Sequence, residues 1–495
     1  MRMKAILCLL LALAACAGPQ QAPDSPLTAA GAPQAQTTEA PRPTATTQAM
    51  ATVAAAPAAA LPPMALLQRW NQDERRYEIA AVDLATGQDI PGRTPIVVSR
   101  SSQFLPPHAL SAAGTRFVGV ESHGRRCEGY AGGTSCWPTA DVLHLVEVTS
   151  WREVTATLPA GGWTSPLVFS PGGSRLAVAH NADEGSTLML FQTETGALLG
   201  QQTLPFPPSF IGFAEEQGII VYGVPPGEKP GISKPGAPRV SLLDATTLAV
   251  RWEQRLPGIV SGFYCLEGCD QPHGELLSAY WSPAVVLARD RRRLYVIHAD
   301  EEKLTTVDLE AQQVQTMAIR RPQSLVERLL ALTAGVAEAK GGMSGTVKSA
   351  VLSADGRHLY VVGRTMDSTR DADGNWQFAE VWLDLQVVDV ATGRLLQSKE
   401  AQADRIRLTP DGEHLLLDGW DGQSQEGALL EAATLEPAGH VSSFTVTIQP
   451  VAGETVFLAM QDGESTQLAV LDPATLAVVH SWSVDSFATW LSPNR

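Results

Sequence analysis

The sequence has few of the features that declare a chemistry. Only six of its 495 residues are cysteine, and two of those fall within the first sixteen. No zinc-ribbon spacing exists, and Cys265-x-x-x-Cys269 lacks the following histidine of a haem attachment site. Ten histidines show no paired metal spacing, and no Gly-x-Ser-x-Gly turn offers a nucleophile. Positive charge is scarce: 36 Lys and Arg stand against 52 Asp and Glu, a formal net charge of −16. No basic segment offsets that deficit, which argues against a nucleic-acid partner, because phosphate binding needs concentrated positive charge. Apolar runs are too short for a polytopic membrane protein, and 44% hydrophobic residues are too many for a wholly disordered chain.

What is present begins with an address. Residues 1–16 read MRMKAILCLLLALAAC, with Arg2 and Lys4 ahead of an apolar stretch too short to span a bilayer. Its end, Leu13-Ala14-Ala15-Cys16, resembles the bacterial lipobox. The resemblance implies a signal peptide over 1–15, cleavage before Cys16 and acylation of the Cys16 thiol, with two or three chains sufficing for stable attachment. Residues 17–63 are mostly Ala, Pro, Thr, Gln and Gly, with three charges, Asp24, Glu39 and Arg42, and no aromatic residue. Such a segment buries too little surface to offset its ordering entropy, so 16–63 reads as a lipidated cysteine and a disordered tether.

From residue 64 the chain repeats itself. One phrase is an apolar pair, an acidic or polar residue and then Ala-Thr-Gly or a relative: VDLATG (82–87), FQTETG (191–196), LDATTL (243–248), VDVATG (388–393) and LDPATL (471–476). A second phrase precedes most of them: LSAAGTRFVGV (110–120), FSPGGSRLAVA (169–179), LSADGRHLYVV (352–362) and LTPDGEHLLLD (408–418). Each is a turn feeding an apolar strand. The repeat starts mid-unit at Met64 and ends with the missing half at Trp490-Leu491-Ser492-Pro493, which describes a closed ring. The phrases resemble those of WD40-like and YVTN-type propellers, without the Trp-Asp and Gly-His pairs of true WD40 repeats. That resemblance implies an all-β fold over 64–495, an eight-bladed β-propeller with seven blades as the alternative, closed by its N- and C-terminal strands.

The intervals between phrases show where the connections lengthen: 121–141, 223–239 and 363–382 between second and third strands, and 258–281 and 322–345 between units. All should emerge on one face, expected to take a protein or small-ligand partner. The periodic apolar residues of 323–340 predict a short helix over the ring. Cys127, Cys136, Cys265 and Cys269 remain after Cys8 and Cys16 are assigned, an even number consistent with two local disulfides. Residues 369–380 partly match a calcium loop, with Asp371, Asp373, Asn375 and Glu380 as candidate ligands; no other cofactor is expected. Quinoprotein dehydrogenases also use eight-bladed rings, but only Asp244 and Trp252 keep their Asp-to-Trp interval. The expectation is a membrane-anchored protein of the cell envelope that serves as a binding or assembly scaffold rather than an enzyme. The alternative is a propeller hydrolase, lactonase or dehydrogenase using a central-channel pocket.

Overall fold

The computed structural model describes residues 63–99, 107–123, 126–130, 133–137, 140–182, 185–214, 218–225, 236–267, 277–320, 343–370, 376–420, 425–461 and 465–491. Among them the regular structure is entirely β. Five sheets are simple four-stranded antiparallel meanders, for example Trp163–Phe169, Arg175–Ala182, Gly185–Gln192 and Leu198–Leu204. An eight-stranded sheet is two more meanders joined only by the parallel bridge Ser99↔Ser122, and a six-stranded sheet contains another. Thirty-two of the 36 described strands therefore sort into eight four-stranded sets, and the other four form two added hairpins.

Short-range chemistry makes the turns. Between first and second strands, the Ser170 hydroxyl accepts the Arg175 N–H at 3.1 Å, and Gly173 (φ +70°) donates to the Ser170 carbonyl at 2.8 Å. Between third and fourth strands, an aspartate collects the N–H groups that follow it: Asp244 Oδ1 accepts from Thr246 and Thr247, each at 2.9 Å. Where described, both turn types lie at the same end of a set, here the turn face. Second-to-third connections and the links between sets lie at the other end, the loop face.

Alternating residues of the inner strands enter two different apolar clusters, which is why those strands read as nearly continuous apolar runs. Phe117 packs with Ile79 and Val98 of the preceding set, while Val118 packs with Leu167 and Leu176 of the next. Such a cluster joins each consecutive pair of sets, and the circuit closes where Ala65, Leu67 and Val82 meet Leu458 and Leu468. Closure is made by the two ends of the repeat region. Met64–Asn71 pairs antiparallel with Ala488–Trp490 in the register Leu67↔Trp490 and Arg69↔Ala488.

Gln449, fully buried, clasps this seam from the adjacent strand Thr445–Val451. Its Oε1 accepts the Leu66 N–H at 2.7 Å, and its Nε2 donates to the carbonyls of Leu66 (2.9 Å) and Leu491 (2.6 Å). On the turn face the two neighbours of the closing set also touch. Ala452 N–H donates to Gly114 O at 3.0 Å and Gly453 N–H to Ala113 O at 3.1 Å. Only glycine fits at 114, where φ is +64° and a Cβ would stand 2.1 Å from Pro450 O.

The loop face departs from the sequence expectation in its construction. Residues 363–370 and 376–382 are strand, not loop: His358–Arg370 and Trp376–Asp389 continue as one ladder out to Arg370↔Trp376. Within 258–281 lies a second hairpin, Gly262–Glu267 with Leu277–Ser282, whose inner strand pairs parallel with Met343–Leu352 from Ser278↔Met343 to Ser282↔Val347. The result is a six-stranded sheet that rises beyond its four-stranded base. Arg126–Tyr130 and Gly133–Trp137 form a third hairpin within 121–141. The helix expected over 323–340 and most of the 223–239 connection lie outside the described residues.

Gly345 sits where the added hairpin joins; a Cβ there would stand 1.9 Å from Tyr280 O. Gly345→Ala is expected to accelerate amide exchange at 278–282 and leave the other sets protected. Unchanged protection at Ala279–Trp281 would reject this parallel pairing.

Candidate functional site

Polar side chains gather at the loop-face ends of the strands. The densest group belongs to the set running from His108–Leu110 to Arg152–Thr157. In its register Glu121 faces Val142 and Gly119 faces His144, so Glu121, His123 and His144 share one side of the sheet. Glu153, opposite Val146, shares that side. Glu121 and His144 are each only 8% exposed. His144 stands between two carboxylates, with Nδ1 2.5 Å from Glu153 Oε1 and Nε2 3.1 Å from Glu121 Oε2. The same Glu121 oxygen lies 3.1 Å from His123 Nε2. Gly119, opposite His144, admits the core side chains of the preceding set: a Cβ there would meet Val98 at 2.5 Å and Ile79 at 2.8 Å.

The other side of this sheet carries a clamp rather than a site. Buried Asp141 accepts from Ser122 at 2.8 Å and from Thr164 of the next set at 2.7 Å, so both oxygens are occupied in packing. His298 is buried beside Thr305 at 2.8 Å, and burial pushes its imidazole below the ordinary histidine range. Asp418 is buried near the Arg405 guanidinium at 3.4 Å, and burial pushes its carboxyl up to about 6.

The turn face differs. A cleft of about 670 Å³ opens there beside Arg289, Arg293, Tyr295, Asp355, Arg357 and Asp389. Arg289 and Arg291–Arg293 are a local basic concentration within the acidic chain. Arg291 donates to Phe213 O at 3.1 Å, and Arg292 lies 3.4 Å from Glu310. Asp355 and Asp389 are held below the usual carboxylate range chiefly by the hydroxyls of Ser353 and Thr392. These groups build turns. Asp411, Glu413 and His414 also approach one another on this face, but Asp411 accepts from the Thr409 hydroxyl and the Glu413 N–H, again turn chemistry.

Cys16, Cys269, Asp371, Asp373 and Asn375 lie outside the described residues. Glu380 is on the rising ladder opposite Met366 and is ion-paired with Arg364. Cys127 and Cys136 are register partners in their hairpin, whereas Cys265 faces Ser278. Sequence reasoning missed the group around His144, because His123 and His144 approach only once the ladder folds back across the 124–139 insertion. The available signal was the strand phrase itself: Glu121, His123 and His144 are the polar residues among the alternating positions Phe117, Gly119, Ala140, Val142 and Val146 of the same face.

No protein-family model and no curated protein sequence matches the chain. Among solved structures it is similar to the dihydro-heme d1 dehydrogenase NirN in complex with DHE, with TM-score 0.50, 13% identity, and 88% of this chain and 77% of that chain covered. It is also similar to the β-propeller domain of Myceliophteria thermophila Cps50 (Swd1), with TM-score 0.40, 11% identity, and coverage of 72% and 92%. BamB from Moraxella catarrhalis gives TM-score 0.38, 10% identity, and coverage of 74% and 89%. The fold is a β-propeller. Identities this low bear on the fold alone, and propellers host unrelated activities.

Proposed function

We propose that this propeller is an eight-bladed, lipid-anchored scaffold of the cell envelope that docks a protein partner on its loop face. The observation that carries this reading is the asymmetry of the two faces. The turn face is built from groups that satisfy one another, whereas the loop face bears a sheet standing clear of the ring. Val381 on that sheet is 57% exposed, and an extended ladder offers both backbone edges and side chains to another chain.

The polarity of the anchor agrees with it. Pro63 accepts the Leu84 N–H at 3.0 Å, so the chain enters the ring at its turn face. A lipid on Cys16 would lie on that side, with the 17–63 tether spanning roughly 40 Å as a flexible coil. The loop face would point away from the membrane. Cys127 and Cys136, as antiparallel partners, have Cα atoms about 4.5–5.5 Å apart, within disulfide reach, and we assign them a brace across the exposed hairpin.

Two measurements test the reading. Cys16→Ala should release a folded ring from membranes; a variant that stays membrane-bound rejects the anchor. Replacing 262–281 by a short Gly-Ser link should abolish crosslinking to the partner, while substitutions at Ser170 and Thr392 on the turn face should not. Equal loss from both would reject the loop face as the docking surface.

A further inference from the structure

We propose that the turn-face cleft between the set running from Ala284–Leu287 to Gln313–Ala318 and the set that follows it binds a phosphoethanolamine group, with its phosphate on arginines and its ammonium on aspartates. The motive is a gap that the ring leaves open here. Three other first turns bring their glycine against another set. A Cβ on Gly412 would stand 2.6 Å from Ala354, one on Gly114 2.1 Å from Pro450 O, and one on Gly173 3.7 Å from Arg116. At Gly356 the nearest atom belongs to Leu352 of its own set, 4.0 Å away. The space of about 670 Å³ left between the two sets falls within the range of small-molecule pockets, roughly 300–1,000 Å³.

Arg289, Arg293 and Arg357 line it together with Asp290, Asp355 and Asp389. Turn chemistry accounts for the carboxylates. Asp290 Oδ1 accepts the Arg292 N–H at 3.0 Å, Asp355 Oδ1 the Ser353 hydroxyl at 2.6 Å, and Asp389 Oδ1 the Thr392 hydroxyl at 2.6 Å. Each carboxylate is fixed through one oxygen, which leaves the second to a ligand. Turn chemistry does not account for the arginines. Arg293 donates to the hydroxyl of Tyr295, itself buried, and lies 3.7 Å from Asp308. Arg289 and Arg357 enter no ion pair and donate no side-chain hydrogen bond among the described residues.

Charges of both signs therefore line one cleft without pairing across it. Their equal number leaves the cleft neutral, which gives a simple anion little net attraction and suits a ligand that carries both signs. Guanidinium forks match the oxygens of a phosphate, and a primary ammonium brings three donors to carboxylates already held in place. Phosphoethanolamine joins these two groups through a short ethylene link, for which Ala354, Val390 and Ala391 provide an apolar wall. The same group occurs in a membrane lipid headgroup and in a soluble ester. Under the anchor reading above, this face lies toward the bilayer. The chemistry of the cleft does not depend on that reading.

The experiment uses the full chain carrying Cys16→Ala, so that no acyl chain contributes, titrated by calorimetry with glycerophosphoethanolamine. One saturable site is expected, with inorganic phosphate and ethanolamine each weaker by about tenfold or more. Arg289→Gln and Arg357→Gln should each cost about tenfold in affinity, the effect of one charge-assisted hydrogen bond. Asp355→Asn keeps the oxygen that accepts from Ser353; it should weaken the ester equally but not inorganic phosphate. Arg251→Gln, exposed in another set, should change nothing. Arg289 and Arg357 are exposed, so their variants remain informative if Asp355→Asn does not fold. Flotation with equimolar phosphatidylethanolamine–phosphatidylcholine vesicles, against phosphatidylcholine alone, distinguishes the sources. Retention only by the mixed vesicles assigns a lipid headgroup, and retention by neither assigns a soluble ester. No saturable binding, phosphate as tight as the ester, affinity indifferent to Arg357 and Asp355, or equal retention by both vesicles would overturn the proposal. A Cys16→Ala chain that stays membrane-bound would reject the anchor and leave the titration unchanged.

Discussion

Gln449→Leu should weaken the ring more than a substitution in any exposed connection. Leucine matches glutamine in bulk and keeps the site apolar, so the loss isolates three hydrogen bonds. The Leu66 N–H and Leu491 carbonyl, now paired to Gln449 at 2.7 and 2.6 Å, would be left in a dry seam. The Leu66 carbonyl keeps the Leu491 N–H at 3.0 Å. Two orphaned buried groups cost on the order of 1–3 kcal/mol each, so a loss of about 3–5 kcal/mol is expected. The damage should be local first: exchange at 64–67 and 488–491 should accelerate before that of the other blades. A urea midpoint and exchange pattern indistinguishable from the parent would mean that the clasp does not hold the closure.

Asp418→Asn should act in the opposite direction, and only above acid pH. The Asp418 carboxyl is 6% exposed, and burial raises it to about 6 from 3.8. In the folded state it therefore binds a proton more readily than in the unfolded chain. The stability this contributes is fully present below pH 3.8 and is lost as pH rises to about 6, amounting to about 3 kcal/mol at neutral pH. Asparagine imitates the protonated form. The variant should gain up to about 3 kcal/mol at pH 7 and converge with the parent near pH 4. Arg407 keeps Thr447 at 2.7 Å, so the substitution leaves that guanidinium partnered. Buried His298 has a lowered pKa and loses its own contribution as pH falls below 6.5, but that change is common to both proteins and cancels in the difference. A stability gap that persists at pH 4, or a variant weaker at neutral pH, would reject this account of the buried carboxylate.

The ring was legible because its turns are made by residues close in sequence. Ser170 with Gly173, and Asp244 with Thr247, carry their hydrogen-bonding chemistry inside a few positions and repeat it. The half-units at Met64 and Trp490 likewise announced a seam, and the strands there do pair. The rising sheet was not legible. Its key contact, Ser278 beside Met343, links residues far apart in the chain and has no turn to mark it. Residues 363–382 were long enough to look like a loop, and only the pairing of 363–370 with 376–383 shows those segments to be strand. The His144 group was hidden for the same reason: none of its members is informative alone, and the register of two strands brings them together.

The seam also fixes how the molecule bears load. Chain arriving through Pro63 runs straight into Met64–Asn71, which has eight rungs with Arg76–Asp83 on one side and three with Ala488–Trp490 on the other. A pull on the chain at Pro63 acts along that strand, so these rungs are strained together in shear instead of opening one after another. The turn-face bridge from Gly114 to Ala452 spans the same corner and opposes spreading of the flanking blades. A tension applied at the N-terminal end would thus meet the ring along its most resistant direction, while one peeling 488–491 outward would meet three rungs and the clasp of Gln449.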